Sequence, residues 1–377
     1  MSEAARLLTE ALTADGRFLP VIVTLQDSDF DADRAAWPNV PIHAFRAYGP
    51  ANYGFSPGMF WFVMRQRAQC VHVHGIWMFH VFCAAVWSSF YRRPALVTPH
   101  GMLEYWIRQR SARLKAAVSL LYQRRFLSRA SLHVLTSNEI KDVSDAGIPT
   151  GRCTVIPNYV HTPKINFGKP DWWQPEFADR RIYLFFGRIH DKKGWEELCY
   201  AWRQLNDTQP RWQAEAQLVF CGWLDDCSNF ERTLRVLQEE FGNIVFAGSQ
   251  FGGDRDKSYA AADFFVLPSK SEGLPMSILE AWAFGVPTIM TRACNLDIGY
   301  SSEAALETGE EAYQIARTLA EAQTMPGRRR QKMRNAAINL VKESFSQNAV
   351  GSSYANLLAS LVEKGARDSD VVPSELL

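Results

Sequence analysis

The sequence predicts an α/β protein built from two doubly wound, Rossmann-like domains. Three observations carry this. Short β-type runs alternate with helical runs along most of the chain, the pattern of a parallel sheet covered by helices on both faces. The stretch from Asp263 to Thr291 contains one complete unit of that kind. Phe264-Phe265-Val266-Leu267 is stopped by Pro268, and a polar loop runs to Pro275. A helical pattern then fills Met276 to Phe284 and ends at Gly285, and Pro287 to Thr291 is the next strand. Finally, 377 residues suit two domains of ordinary size, and residues 159–179, with three prolines and little periodicity, read as the joint. The expected boundaries are an N-terminal domain over 1–160, a linker over 161–180, a C-terminal domain over 181–345, and a last helix with a tail over 346–377.

Taken in order, residues 1–13 read as a helix and 20–25 as a strand. The acidic loop QDSDFDADR follows, with D-x-D triplets at Asp27-Ser28-Asp29 and Asp29-Phe30-Asp31. Such triplets hold metal and nucleotide in some transferases, but repeated acids after a strand read first as a solvated loop. Residues 41–46 form a short strand, and 47–59 a Gly/Pro/Asn-rich loop. Strands at 70–74, 95–99, 132–136 and 153–157 continue the first sheet, with a helix ending at Tyr91. In the second half, strands are expected at 182–186, 217–223 and 243–248, before the unit described above. Helices follow over 310–323, 327–343 and 346–364, and 366–377 is expected to be disordered.

Composition excludes several classes. The formal net charge of +1 gives no electrostatic signature for nucleic acid. The seven cysteines form no C-x-x-C pair and no cluster with histidine, which suits a reduced, cytoplasmic protein. The amphipathic start carries Glu3 and does not read as a signal peptide. The most apolar window, Val71 to Phe90, is interrupted by three histidines, so no membrane span is expected. No G-x-G-x-x-G or Walker motif occurs, so the usual dinucleotide and P-loop fingerprints are lacking.

Candidate chemistry gathers on loops beyond strand carboxyl ends, where ligands of such sheets bind. Glu272 lies in the loop before Met276 and Glu280 on the helix after it, with seven residues between them. The N–H groups of Gly273, Leu274 and Met276, around Pro275, are donors at a helix start, a seat for an anion. A carboxylate beside such a seat repels phosphate, so both Glu residues suit sugar hydroxyls; a favourable acid near a helix start and one solvated Glu would give the same pattern. Arg188 and Lys193 (Lys192 second) stand on the loop after the 182–186 strand and can clamp a diphosphate. His74-Gly75 and His100-Gly101 both follow strands. Between residues 104 and 130, seven basic residues (Arg108, Arg110, Arg113, Lys115, Arg124, Arg125, Arg129) interleave with apolar ones around a single acid, Glu104. That segment suits an anionic membrane surface or a pyrophosphate-linked lipid, and equally an exposed helix whose Arg stems cover a core.

The run S-E-G-L-P-x3-L-E-A-x-A-x-G-x-P resembles the E-x7-E segment of the retaining family-four glycosyltransferases, which have the GT-B fold of two Rossmann-like domains facing a cleft. The resemblance extends to G-R-x4-K-G at Gly187–Gly194 and to TPHGML at 98–103. It implies that Glu272 approaches the donor sugar, Glu280 holds the nucleotide ribose, and Arg188 and Lys193 meet the phosphates. His100 would then lie by the sugar, and Phe246-Ala247-Gly248-Ser249 by the base. It also implies that the last helix returns to the first domain. Members open with a strand and a Gly-Gly loop that are not found before the helix at Met1. About twenty residues, a strand-plus-loop length, are thus expected to be missing. The activity implied is transfer of a sugar from a nucleotide diphosphate-sugar to a glycan or lipid-linked acceptor hydroxyl, with retention, no cofactor and no metal. The expected setting is bacterial surface-polysaccharide or lipid-linked glycan synthesis in the cytoplasm or on the inner face of the plasma membrane, with peripheral contact through residues 104–130 and no nucleic acid partner. Two other readings stay open: a GT-B-shaped binding subunit without chemistry, and a sugar-nucleotide epimerase of similar fold.

Overall fold

The structure is a computed structural model describing residues 2–370 except 28–29, 31–33, 36, 38–39, 51–52, 105–106, 109–117, 164–167, 226 and 228. The chain divides into two compact units, Met1–Tyr159 with Gln347–Leu377, and Val160–Ser346.

In the first unit, β1 (Ile22–Leu25) pairs with β2 (Ile42–Phe45) in parallel, from Ile22 against Ile42 to Leu25 against Phe45. A second parallel sheet has the order β3 (Val71–His74), β4 (Ala95–Thr98), β5 (Ser131–Val134), β6 (Cys153–Val155). The described strands thus make two sheets where the sequence suggested one. All four residues of β4 are buried, and Val97, Leu132 and Val134 pack with Val81 and Ala84 of the helix Phe79–Tyr91. Each such fully buried Val or Leu contributes about 1.5–3 kcal/mol.

Residues 57–59, expected as loop, begin the helix Pro57–Arg65 instead. Ser56 caps it by accepting from the Met59 N–H, and Pro57 sits where a missing N–H costs nothing. The last helix, Gln347–Asp370, belongs to the first unit. Gly351 lies so close to Ala11 of the helix Ser2–Asp15 that an added Cβ would stand 3.1 Å from its methyl. That last helix also runs past residue 366, where disorder was expected, because Ala366 and Arg367 are good helix formers and no proline intervenes before Pro373.

The second unit is a single six-stranded parallel sheet in the order β12-β11-β10-β7-β8-β9. These strands are β7 (Arg181–Phe186), β8 (Ala216–Cys221), β9 (Ile244–Phe246), β10 (Phe264–Leu267), β11 (Thr288–Met290) and β12 (Ala305–Glu307). The order reverses between β7 and β10, so the loops after these two strands leave the sheet at its switch point. The described residues of the expected linker, 161–163 and 168–180, are part of this unit. Trp172 is buried and donates to Ser258 Oγ at 2.9 Å, and Phe177 is buried in the same core. Its prolines break periodicity without preventing the aromatic side chains from packing.

Of the basic segment, residues 104, 107–108 and 118–130 are described. Ser119–Gln123 form a π-turn that leads into the helix Arg124–Leu127, Leu120 and Leu121 are exposed, and Arg108 donates to the Asp145 carbonyl at 2.9 Å. Arg110, Arg113 and Lys115 lie outside the described residues. So do Asp29, Asp31 and Asp33 of the acidic loop; Asp27 is exposed. Among the described residues no helix is long and apolar enough to cross a membrane.

Candidate functional site

At the switch point of the second unit, β7 gives way to Gly187, Arg188 and a short turn, Asp191–Lys193, before the helix Trp195–Thr208. His190 Nδ1 caps this turn by accepting the Lys192 N–H at 3.1 Å. Gly194 has φ +70°, and a Cβ there would sit 2.1 Å from the Pro268 carbonyl oxygen. Glycine is what lets this loop press against the loop after β10. The Lys270 N–H then donates to the Lys192 carbonyl at 2.8 Å.

The consequence is an ion pair between Lys193 Nζ and Glu272 Oε1 at 2.5 Å, with Glu272 buried. Ser269 Oγ donates to the same carboxylate oxygen at 2.6 Å. The loop backbone is held from behind, as the Asn295 amide donates to the carbonyls of Glu272 and Gly273 and the Thr291 hydroxyl to that of Ser269. The helix Met276–Ala283 begins at Pro275 with no side-chain cap, and Gly273, Leu274 and Met276 are half-buried around it. Arg188 Nη1 pairs with Asp225 Oδ2 at 2.8 Å, both side chains about 40% exposed. Asp225 arrives there because Ile189 and Leu224 form a parallel bridge and the Asp225 N–H donates to the Ile189 carbonyl at 3.0 Å. The sequence reading passed over Asp225. Its one signal was its place just beyond β8, the neighbour of β7.

Glu280 lies one turn into the helix Met276–Ala283. Its Oε2 accepts from the Tyr259 hydroxyl at 2.8 Å, and its Oε1 from Arg255 Nη1 at 3.3 Å. Tyr259 and Arg255 stand on the helix Gly252–Ala260 and were also passed over. Burial, then the Glu280 charge, holds the Tyr259 phenol well above its ordinary pKa, so it stays a donor.

The first unit has its own polar cluster at the carboxyl edge of its larger sheet. His74 ends β3, and His100 occupies the turn after β4 with φ +54°, followed by Gly101 at +72°. His74 Nδ1 and His100 Nε2 are 3.0 Å apart, and the rings stack at 5.2 Å. Deeper in, His133 Nε2 lies 2.8 Å from the Ile156 carbonyl, which can only accept, so the proton is assigned to Nε2. His133 Nδ1 then accepts from the Thr98 hydroxyl at 2.9 Å, and Thr98 accepts from His72 Nε2 at 2.8 Å. His72 Nδ1 in turn accepts from the Tyr354 hydroxyl of the last helix. This chain uses neutral rings throughout. Burial pushes His100 down to about 3 and His133 to about 4, and holds His72 and His74 well below the ordinary value. Glu139 lies with Asp142 and Val143 around a shallow crevice shared with Pro99, Gly101 and Leu103 of the His100 turn, too small to hold a water. Its Oε2 accepts the Leu135 N–H at 3.0 Å, and burial, with Asp142 and Glu104 nearby, raises its pKa to about 7.

Residues 2–164 match the family model described as Glycosyltransferase Family 4, and residues 180–322 that of Glycosyl transferases group 1. The chain is 28% identical over 171 residues to the alpha-galactosylglucosyldiacylglycerol synthase of Streptococcus pneumoniae, 42% of each chain. It is 34% identical over 121 residues to the GDP-mannose-dependent alpha-mannosyltransferase of Corynebacterium glutamicum, 32% of this chain and 25% of that one. The chain therefore spans less than half the length of these relatives. In structure it is similar to Anabaena HepE in complex with UDP and glucose, with a TM-score of 0.71 at 17% identity, covering 94% of this chain and 96% of that one. It is also similar to sucrose-phosphate synthase from Thermosynechococcus elongatus, with a TM-score of 0.67 at 20% identity, covering 96% and 93%. At these identities the likeness shows the fold, which is GT-B. With the two family models together covering most of its length, the chain belongs to the group 1, family 4 glycosyltransferases.

Proposed function

We propose that the chain transfers a sugar from a nucleotide diphosphate-sugar to an acceptor hydroxyl, with retention at the anomeric carbon and without a metal. The observation that carries this is the arrangement at the switch point: Arg188 and Lys193 on one loop, with Glu272 and an uncapped helix start on the next. In this reading Arg188, Lys193 and the backbone N–H groups around Gly273, Leu274 and Met276 stabilise the charge that grows on the departing diphosphate. Lys193 is already paired with Glu272, but an ammonium has three donors and a guanidinium five, so each can hold its carboxylate and a phosphate oxygen together. Glu280 accepts from the ribose, while Glu272 and His100 meet the transferred sugar; a neutral His100 can donate or accept at a hydroxyl.

The acceptor is proposed to be a glycan or a lipid-linked saccharide in surface-polysaccharide or glycolipid synthesis. The name of the pneumococcal relative, a diacylglycerol glycoside synthase, supports this. A working place on the inner face of the plasma membrane fits the exposed Leu120 and Leu121 beside Arg124 and Arg125. The test is to incubate the purified chain with UDP-, GDP- and ADP-sugars and an acceptor panel, and to read product configuration by proton NMR. The expected product keeps the donor's anomeric configuration, and Glu272→Gln slows its formation at least about a hundredfold, as loss of one transition-state electrostatic group does. An inverted product would overturn the retaining mechanism.

A further inference from the structure

We infer that Tyr259 is the positioning residue for Glu280, fixing one carboxylate oxygen so that the other is presented to a ribose hydroxyl. This rests on the reading that Glu280 holds the ribose.

The phenol is fully buried, and its ring is stacked between Phe186 at 4.9 Å and Phe284 at 5.5 Å, with Phe265 tilted against it at 6.1 Å. A phenylalanine would pack among these three rings equally well. A hydroxyl in such a place costs desolvation unless it is bonded. Its partner is Glu280 Oε2, at 2.8 Å. The ring is clamped, so the hydroxyl is a fixed point, and it sets the plane of the carboxylate.

The other oxygen is held differently. Arg255 Nη1 reaches Oε1 at 3.3 Å, while Arg255 itself is anchored on Asp256 Oδ1 through Nε at 3.1 Å and Nη2 at 3.0 Å. The Asp256 contacts are the shorter ones for Arg255, and for Glu280 the Tyr259 hydroxyl at 2.8 Å is closer than Arg255 at 3.3 Å. A carboxylate offers about four lone-pair sites, so Oε1 can accept a ribose hydroxyl alongside the guanidinium.

The test uses the full chain and calorimetry with the tightest-bound of UDP, GDP and ADP, against its 2′,3′-dideoxy counterpart. The wild type is expected to prefer the ribonucleotide by about tenfold, the worth of one hydrogen bond to a charged group. Tyr259→Phe should cut that preference to about twofold. It should leave dideoxynucleotide affinity and the far-ultraviolet dichroism unchanged, which separates positioning from misfolding. Three results would overturn the inference. If Tyr259→Phe keeps the wild-type preference while Glu280→Gln loses it, the ribose reading of Glu280 stands and the role of Tyr259 falls. If Glu280→Gln keeps the preference, the ribose reading itself falls. Equal weakening of both nucleotides by Tyr259→Phe would make the tyrosine a packing residue only.

Discussion

The buried histidines of the first unit make it acid-labile in a calculable way. In the folded unit His100 and His133 are held at about 3 and 4, and His72 and His74 well below 6.5. Below pH 6.5 the unfolded chain therefore binds protons that the folded unit refuses. The stability these groups allow is present above that pH and is lost as pH falls. A fully buried histidine held at about 3 or 4 destabilises the fold by about 2 kcal/mol at pH 5, from 1.36 kcal/mol per pH unit. His133 is fully buried, whereas His100 keeps some exposure and its share is halved, which leaves roughly 3 kcal/mol for these two, and burial of His72 and His74 acts in the same direction. Glu139 acts in the opposite sense. Its folded value of about 7 lies above the ordinary 4.5, so it favours the fold as pH drops, by about 2 kcal/mol between pH 7 and 5. For His100, His133 and Glu139 the net loss is then about 1 kcal/mol at pH 5 and about 2 at pH 4, to which His72 and His74 add in the same direction, against the ~5–15 kcal/mol that holds a domain folded. Hydrogen exchange resolved by peptide, corrected for intrinsic pH dependence, should find protection falling in residues 71–155 from pH 6.5 to 5 while residues 181–345 hold. His133→Asn should flatten the fall. Protection in the first unit that stays level from pH 7 to 5 would refute the assignment of neutral buried rings.

Three further outcomes follow from the geometry. Asp225→Asn removes the carboxylate that competes for Arg188; an exposed pair of this kind is worth about 0–1 kcal/mol, so diphosphate affinity by calorimetry should rise by up to about fivefold at low salt, and a fall would mean that Asp225 holds Arg188 in its working pose. Sugar transfer should survive EDTA; abolition with rescue by Mn²⁺ or Mg²⁺ would return attention to the acidic loop from Asp27 to Asp33. The chain should sediment weakly and salt-sensitively with vesicles of anionic lipid but not neutral ones, each basic side chain near the surface adding up to about 1 kcal/mol. Replacing Arg108, Arg110, Arg113 and Lys115 with Ser should reduce that sedimentation, and wild-type sedimentation of this variant at low salt would assign the segment to an ordinary solvated helix.

What could be read from the sequence was what is local along it. The strand run Phe264–Leu267, its stop at Pro268 and the helix from Met276 are written in consecutive residues, and the structure has them there. The helix at Pro57 was legible too, in the Ser-Pro pair that opens it, but the glycines and prolines around it masked the signal. Tertiary pairing was not legible. Asp225 reaches Arg188 only because β8 lies beside β7, and Tyr259 reaches Glu280 across 21 residues and two elements. Trp172 and Phe177 looked like linker residues because prolines hide periodicity, yet apolar area, not periodicity, decides burial. The His72–Thr98–His133 chain spans three strands, so its members read singly as ordinary strand residues.

The central claim is that Arg188 and Lys193 receive a nucleotide's diphosphate, and calorimetric titration of UDP, GDP and ADP into the wild type, Arg188→Ala and Lys193→Ala tests it most directly. The account predicts that at least one nucleotide binds and that each substitution weakens it by about 1–3 kcal/mol, the loss of a charge-assisted hydrogen bond. Affinity unchanged in both variants would contradict it and remove these two residues from the site.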